Sequence, residues 1–342
     1  MPRIPTLFLF LLFTGIFGGT LRAQDPVFSQ FYAAPVQLNP ALAGVSGAPR
    51  ISGIYRNQYP SWPNAFVTYG LSYEQPLEGT NSSIGLALTT DNQAEGLYRV
   101  NYFKAVYVYE VRMGETVNAR IGIQAGAVNS AVDQQRLIFG DQLDEINGFD
   151  PADGESMEML SNLSQTSFDV GAGLVIYGGP LYAGLTLDHL NRPSENLLEL
   201  GTSLYAGRPL RTTIHAGGQI NLKRYTNRRR PGYVTPNILY TRQGGFQQLM
   251  VGAHFGWGPV FAGGYFRHAF ENADAAVATV GFRKDIFRIG YSYDAVLSTR
   301  FASPAGLGGA HEISFSIDFG ESASLKRRKS KSRFEDCFGM FR

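Results

Sequence analysis

The chain has a single cysteine, Cys337, which excludes an internal disulfide framework and leaves a lone tail thiol with no metal-ligand spacing. Long apolar runs are also missing: after residue 24 none approaches the roughly 20 residues a transmembrane helix needs. Charge is scarce too, at 17% of residues. Lys and Arg are absent from Leu137 to Asn191, where Asp141, Asp144, Glu145, Asp150, Asp153, Glu155 and Glu158 leave an acidic stretch.

What is present begins with an export signal. Arg3, the apolar run from Leu7 to Phe17, and Leu21-Arg22-Ala23 before Gln24 read as a removable signal peptide over residues 1–23. That apolar core is too short to span a bilayer. Taking away Arg3 and Arg22 reduces 30 basic residues to 28, against 28 acidic ones, so the remaining chain is neutral overall. A basic cluster, Lys326, Arg327, Arg328, Lys329, Lys331 and Arg333, lies near the C-terminus. An exported protein rarely meets nucleic acid, so the cluster suits a periplasmic partner or an anionic surface better. With 40 Gly, 24 Phe and 18 Tyr, the composition fits a sheet with one apolar face.

Period two runs through the chain after residue 50. Ile313, Phe315, Ile317 and Phe319 alternate with Glu312, Ser314, Ser316 and Asp318; Phe287, Ile289, Tyr291 and Tyr293 alternate with Arg288, Gly290, Ser292 and Asp294. Fourteen strands are expected, at about 50–58, 65–76, 81–91, 97–112, 116–129, 167–178, 181–190, 210–223, 232–241, 246–256, 259–269, 274–284, 286–296 and 310–319. Their connections sort into short turns on one side and all the long ones, 130–166, 191–209 and 297–309, on the other. Outer-membrane barrels have this asymmetry, with short periplasmic turns, long outer loops and an even strand count. The pattern predicts an all-β fold, a transmembrane antiparallel outer-membrane β-barrel with both termini periplasmic. The expected division is a signal peptide over 1–23, a periplasmic segment over 24–49, the barrel over 50–320 and a basic periplasmic tail over 321–342. A soluble sandwich or propeller is the alternative, but no repeat of about 40 residues supports a propeller.

Chemistry-bearing motifs are sparse. His189, His215, His254, His268 and His311 make no metal-ligand spacing, and parity places His215 in the lumen beside Arg211, Thr213, Gln219 and Lys223. Asp188-His189 invites comparison with a hydrolase, but no G-x-S-x-G elbow accompanies it. Gly306, Gly308 and Gly309 open no helix, so nucleotide binding is set aside, and no cofactor is implied. Parity also turns Glu110, Arg112, Arg120, Arg211, Lys223, Arg283, Arg288, Asp294, Glu312 and Asp318 inward. Both signs together suit cross-lumen ion pairs in a plugged barrel better than a charge-selective pore.

Several short motifs carry a resemblance. Gln24-Asp25-Pro26-Val27-Phe28-Ser29-Gln30-Phe31-Tyr32, Asn39-Pro40-Ala41 and Gly44 are followed by Tyr55-Arg56-Asn57-Gln58-Tyr59-Pro60 and Ser72-Tyr73-Glu74. Gly290-Tyr291-Ser292-Tyr293-Asp294 and Gly308-Gly309-Ala310-His311-Glu312-Ile313-Ser314 complete the set. Together they resemble the PorP/SprF family of type IX secretion and gliding-motility proteins of Bacteroidota. Tyr59 and Ala310 depart from the more usual Trp and Ser. The resemblance implies a 14-stranded barrel, no covalent chemistry, and a role in exporting or holding at the surface proteins with a C-terminal sorting domain, often adhesins. Periplasmic type IX secretion subunits and outer-membrane lipid are the other implied partners. A passive solute channel is the alternative function. Phe28, Phe31, Tyr32, Asn39 and Pro40 are expected to pack into the periplasmic mouth or to dock a partner.

Overall fold

The computed structural model describes residues 24–61, 66–137, 142–144, 148–149, 163–194, 207–222, 232–270, 273–297, 308–321 and 341. Fourteen antiparallel strands form one sheet: β1 Arg50–Gln58, β2 Phe66–Pro76, β3 Ser82–Gln93, β4 Tyr98–Arg112, β5 Val117–Val132, β6 Ser164–Gly178 and β7 Leu181–Asp188. The sheet continues with β8 Arg211–Gly218, extended by Ile220–Asn221, then β9 Tyr233–Gln243, β10 Phe246–Trp257, β11 Val260–His268, β12 Ala273–Lys284, β13 Phe287–Val296 and β14 Ala310–Asp318. Each strand pairs with its neighbours in sequence, and β1 pairs with β14 from Arg50↔Asp318 to Gln58↔Ala310. That last ladder closes the barrel, so each of its described strands has a partner on both sides, as a sheet in lipid requires. Among the described residues no helix is long and apolar enough to cross a membrane.

Alternation decides the two faces. Leu86, Leu88, Phe103, Tyr107, Phe255, Ile289 and Ile313 are exposed on the outside, whereas Asp294, Glu312, Ser314 and Arg120 are buried within. A one-residue slip in any ladder would exchange these sets, so the pattern fixes register as well as orientation. The expected strand over 210–223 is interrupted: Gln219 leaves the ladder and its N–H donates to the Pro180 carbonyl. Pro236 of β9 follows next in register after the last β8 pair, Gly217↔Asn237, and has no N–H to give.

The expected sorting of connections is present, with Gly179 (φ +55°) and Asp285 (φ +52°) turning the chain at one end. Most of the acidic loop, the expected signal peptide, and Lys326 to Arg333 lie outside the described residues, as does Lys223. One expectation is corrected. Asp25 meets Gln243 and His189 at the long-loop end, while Phe319 meets Pro49 at the short-turn end. The two described ends of the chain therefore lie at opposite mouths of the barrel, not on one side.

Candidate functional site

Residues 24–49 thread the lumen from the long-loop end to the short-turn end. The sequence folds them into three short turns, Phe31–Ala33, Pro35–Leu38 and Pro40–Leu42, each too brief to be stable alone. Pro35 and Pro40 stand where a missing N–H costs nothing. Asn39 is extended and accepts from the Ala41 N–H at 2.9 Å, capping the last turn. The result is a compact rod whose side chains point outward into the barrel wall.

At the long-loop end the rod is held by charge. His189 turns the chain just after β7 with φ +60°, and its ring bridges Asp25 (Nε2 to Oδ2, 2.6 Å) and Asp169 (Nδ1 to Oδ1, 2.9 Å). Arg208 pairs with Asp25, and the Tyr102 hydroxyl donates to the same carboxylate at 2.9 Å. Burial alone would lower the His189 pKa, but the Asp25 and Asp169 carboxylates push it up to about 9. Burial would likewise raise the Asp25 carboxyl, yet His189 and Arg208 hold it well below its ordinary value. Deeper in, Glu312 accepts the backbone N–H groups of Ser29 (2.7 Å) and Gln30 (2.8 Å) through its two oxygens. Arg56 bridges Glu312 and Asp294, Arg267 donates to Asp294 at 2.7 Å, and the Ser29 hydroxyl donates to Asp294 at 2.6 Å. Two guanidinium groups thus balance two carboxylates around Ser29.

The middle of the rod is aromatic. Phe31 packs edge-on to Tyr265 at 5.7 Å and Tyr32 edge-on to His254 at 4.3 Å, while Arg288 lies 5.1 Å from the Tyr32 ring centre. At the short-turn end shape takes over. A Cβ on Gly122 would sit 2.5 Å from the Ala41 nitrogen, and one on Gly173 would sit 2.1 Å from Asn39 Oδ1. Both walls are bare so that the Asn39-Pro40-Ala41 turn can touch backbone. Asn39 Nδ2 donates to the Leu174 and Leu185 carbonyls at 3.2 Å each and lies 3.0 Å from His215 Nε2. Arg120 Nε donates to the Ala41 carbonyl at 2.9 Å, and Glu74 accepts from the Gly44 N–H at 2.9 Å. The space left beside Phe28, Phe31 and Leu38 amounts to only about 50 Å³, enough for a few waters but no passage. Phe341 is buried at the same end, its carbonyl accepting from Arg50 and its ring 5.4 Å from Tyr182.

The five residues expected at a mouth or on a partner are all inside. Phe28, Phe31, Tyr32, Asn39 and Pro40 are buried in the rod and meet the wall instead. Phe31 and Tyr32 join a buried apolar cluster with Leu239, Met250, Phe261, Tyr265 and Val277 of the wall, while Asn39 meets backbone carbonyls bared by glycines. Sequence reading missed Asp25, His189 and Arg208 as one system, because loop and strand residues up to 183 positions apart converge there. His215 is lumenal as expected. Both ring nitrogens of His189 are engaged by carboxylates, which leaves it no free position to act as a base toward a hydroxyl. Among the described residues no three His, Cys, Asp or Glu side chains gather to hold a metal ion.

The motifs scattered along the sequence now meet. Ser29-Gln30, Arg56, Asp294 and Glu312 form one cluster, and Asn39-Pro40-Ala41, Gly44 and Glu74 form the seat. No curated protein matches the chain. Solved structures similar in fold include the Pseudomonas putida toluene transporter TodX, at 10% identity and TM-score 0.48, covering 88% of this chain and all of that one. A TodX deltaS2S3 mutant described as a monoaromatic hydrocarbon channel matches at 11% identity and TM-score 0.46, covering 84% and 94%. A Pseudomonas aeruginosa FadL homologue matches at 12% identity and TM-score 0.39, covering 82% and 93%. The family profile described as type IX secretion system membrane protein PorP/SprF matches residues 20–317. Carrying its motif residues on the rod and on the wall that receives it, this chain belongs to the PorP/SprF family of type IX secretion membrane proteins.

Proposed function

We propose that this barrel is a closed, non-catalytic anchor that supports export or surface attachment of a partner protein with a C-terminal sorting domain, such as an adhesin. The observation that carries the reading is the blocked lumen: residues 24–49 thread it, leaving about 50 Å³ beside Phe28 and Phe31 beneath a cup of about 440 Å³ at the long-loop end. A diffusion channel would need that space open. In this reading the long loops face outward and the short turns face the periplasm, where secretion subunits are met. Asp25 then lies at the outer mouth. Phe28, Phe31, Tyr32, Asn39 and Pro40 serve to keep the barrel shut, and the client is met by the loops.

The experiment is the cell-surface and culture-supernatant proteome of a deletion strain beside a complemented one. Loss of one or a few large surface proteins is expected and would name the client. An unchanged surface proteome would sink the export reading. Planar-bilayer conductance of the purified barrel tests the solute-channel alternative: steady wild-type conductance would favour it, and silence is expected.

A further inference from the structure

Above the rod, at the long-loop end, the lumen is not filled. A cup of about 440 Å³ opens there, floored by Gln24 to Val27 and walled by β1–β3 on one side and β10–β12 on the other. We propose that this cup is a binding site for a neutral saccharide.

The charges around it are already spent inside the protein. Arg56 and Arg267 pair with Asp294, Glu312 and Asp274, and Asp91 accepts from Thr68 at 2.7 Å and from Gln93 at 2.9 Å. Apart from Asp91, whose two donors are neutral, what remains toward the cup is uncharged. Gln58 gives its oxygen to Arg56 and keeps its NH₂ group, while Gln93 gives its NH₂ group to Asp91 and keeps its oxygen. Gln248 is only 7% exposed and lines the cup beside them. Its carboxamide can offer both a donor and an acceptor to a ligand group or to water there. Donor and acceptor amides side by side match hydroxyl groups, which both give and receive.

Two rings add the apolar component. Phe66 on β2 and Phe246 on β10 share the inward parity of Thr68 and Gln248 and come from opposite walls of the barrel. Their faces suit the C–H faces of a pyranose. The closed floor matters as well: an extended peptide cannot pass through, and the amides and rings of the walls carry no charge to pair with a peptide end. A compact, neutral, hydroxyl-rich ligand fits both conditions, and the volume falls in the range of small-molecule sites.

The test uses the full-length protein in detergent and saturation-transfer NMR. The probes are the methyl glycosides of glucose, galactose, mannose and N-acetylglucosamine, with trialanine as the peptide control. At least one glycoside is expected to bind, with affinity weakened about tenfold or more in Phe246→Ala and in Gln248→Ala. Phe66→Ala provides a second ring variant should Phe246→Ala fold poorly. Phe255→Ala, on the lipid-facing side of β10, is expected to bind like wild type. Heat-modifiable gel mobility reports folding of every variant. No glycoside binding by folded wild type would overturn the proposal, as would binding that ignores all three cup variants. Trialanine binding in place of the glycosides would reassign the cup to peptide.

Discussion

Residues 25–30 and 39–44 belong to the same rod yet are held in opposite ways. Around 25–30 the wall brings side chains in: two guanidinium groups and two carboxylates meet Ser29, and Glu312 takes two backbone N–H groups. Around 39–44 the wall takes side chains away, with Gly122 and Gly173 leaving room for a turn that touches backbone. One contact is specified by charge and the other by shape. Charge fixes where the rod sits along the axis but tolerates small shifts in distance. Shape tolerates none, because a Cβ at either glycine would strike backbone or a buried amide rather than a flexible tip.

The charged contact should be the costlier to break. Glu312→Ala leaves Arg56 facing Asp294 alone and orphans the N–H groups of Ser29 and Gln30 in a buried site. Breaking a buried pair in this way costs about 3–5 kcal/mol. The expected outcome is a lower urea midpoint in micelles together with single-channel openings in planar bilayers, as the rod loosens at Ser29. A variant that unfolds like wild type and stays silent would show that the charges do not hold the rod. Glu312→Gln, which keeps an acceptor, should lose less.

Shape is broken by adding a side chain. Gly122→Val or Gly173→Val pushes into the Asn39-Pro40-Ala41 turn, and overpacking of this kind costs about 1–3 kcal/mol. The expected sign is faster proteolysis within residues 24–49 at any salt concentration, since no ion pair is touched. Gly114→Val serves as the control, because a Cβ there meets nothing within 4 Å. Equal proteolysis of all three variants would remove the seat from the argument.

How far could this be read from the sequence? The strands were legible because a barrel wall has one apolar and one polar face, so Ile289 and Ile313 point out while Asp294 and Glu312 point in. The inward charges of both signs already suggested a plugged lumen. The plug itself was not legible as such: Phe28, Phe31 and Tyr32 look the same whether they meet a partner, a mouth or an interior. Their destination depends on glycines at Gly122 and Gly173, far away in sequence, that read as ordinary strand glycines. Likewise Asp25 and Arg208 sit 183 residues apart, and no local period connects them. The motif residues were the available signal, since Ser29, Arg56, Asp294 and Glu312 recur in short motifs that no local fold explains.

The smallest expected effect is at the rod's first residues and depends on pH. His189 has its pKa raised to about 9 by Asp25 and Asp169, against an unfolded value near 6.5. A raised cation contributes fully below the unfolded value and is lost as pH rises through the folded one. Asp25, held low, works the other way: its contribution is present above its ordinary value and disappears in acid. The anchor should therefore be firmest between about pH 4 and 6.5 and weaken from there upward, with the His189 contribution gone above about 9 and Arg208 and Tyr102 still holding Asp25. Hydrogen exchange of residues 25–30 should accelerate from pH 6 to pH 10 beyond the chemical rate, while residues 39–44 follow the chemical rate alone. His189→Gln keeps one hydrogen bond but no charge, so the alkaline loosening should vanish in it and the rod should be looser already at pH 6. Equal acceleration at both ends of the rod would mean that the barrel as a whole, not the Asp25–His189 contact, responds to pH.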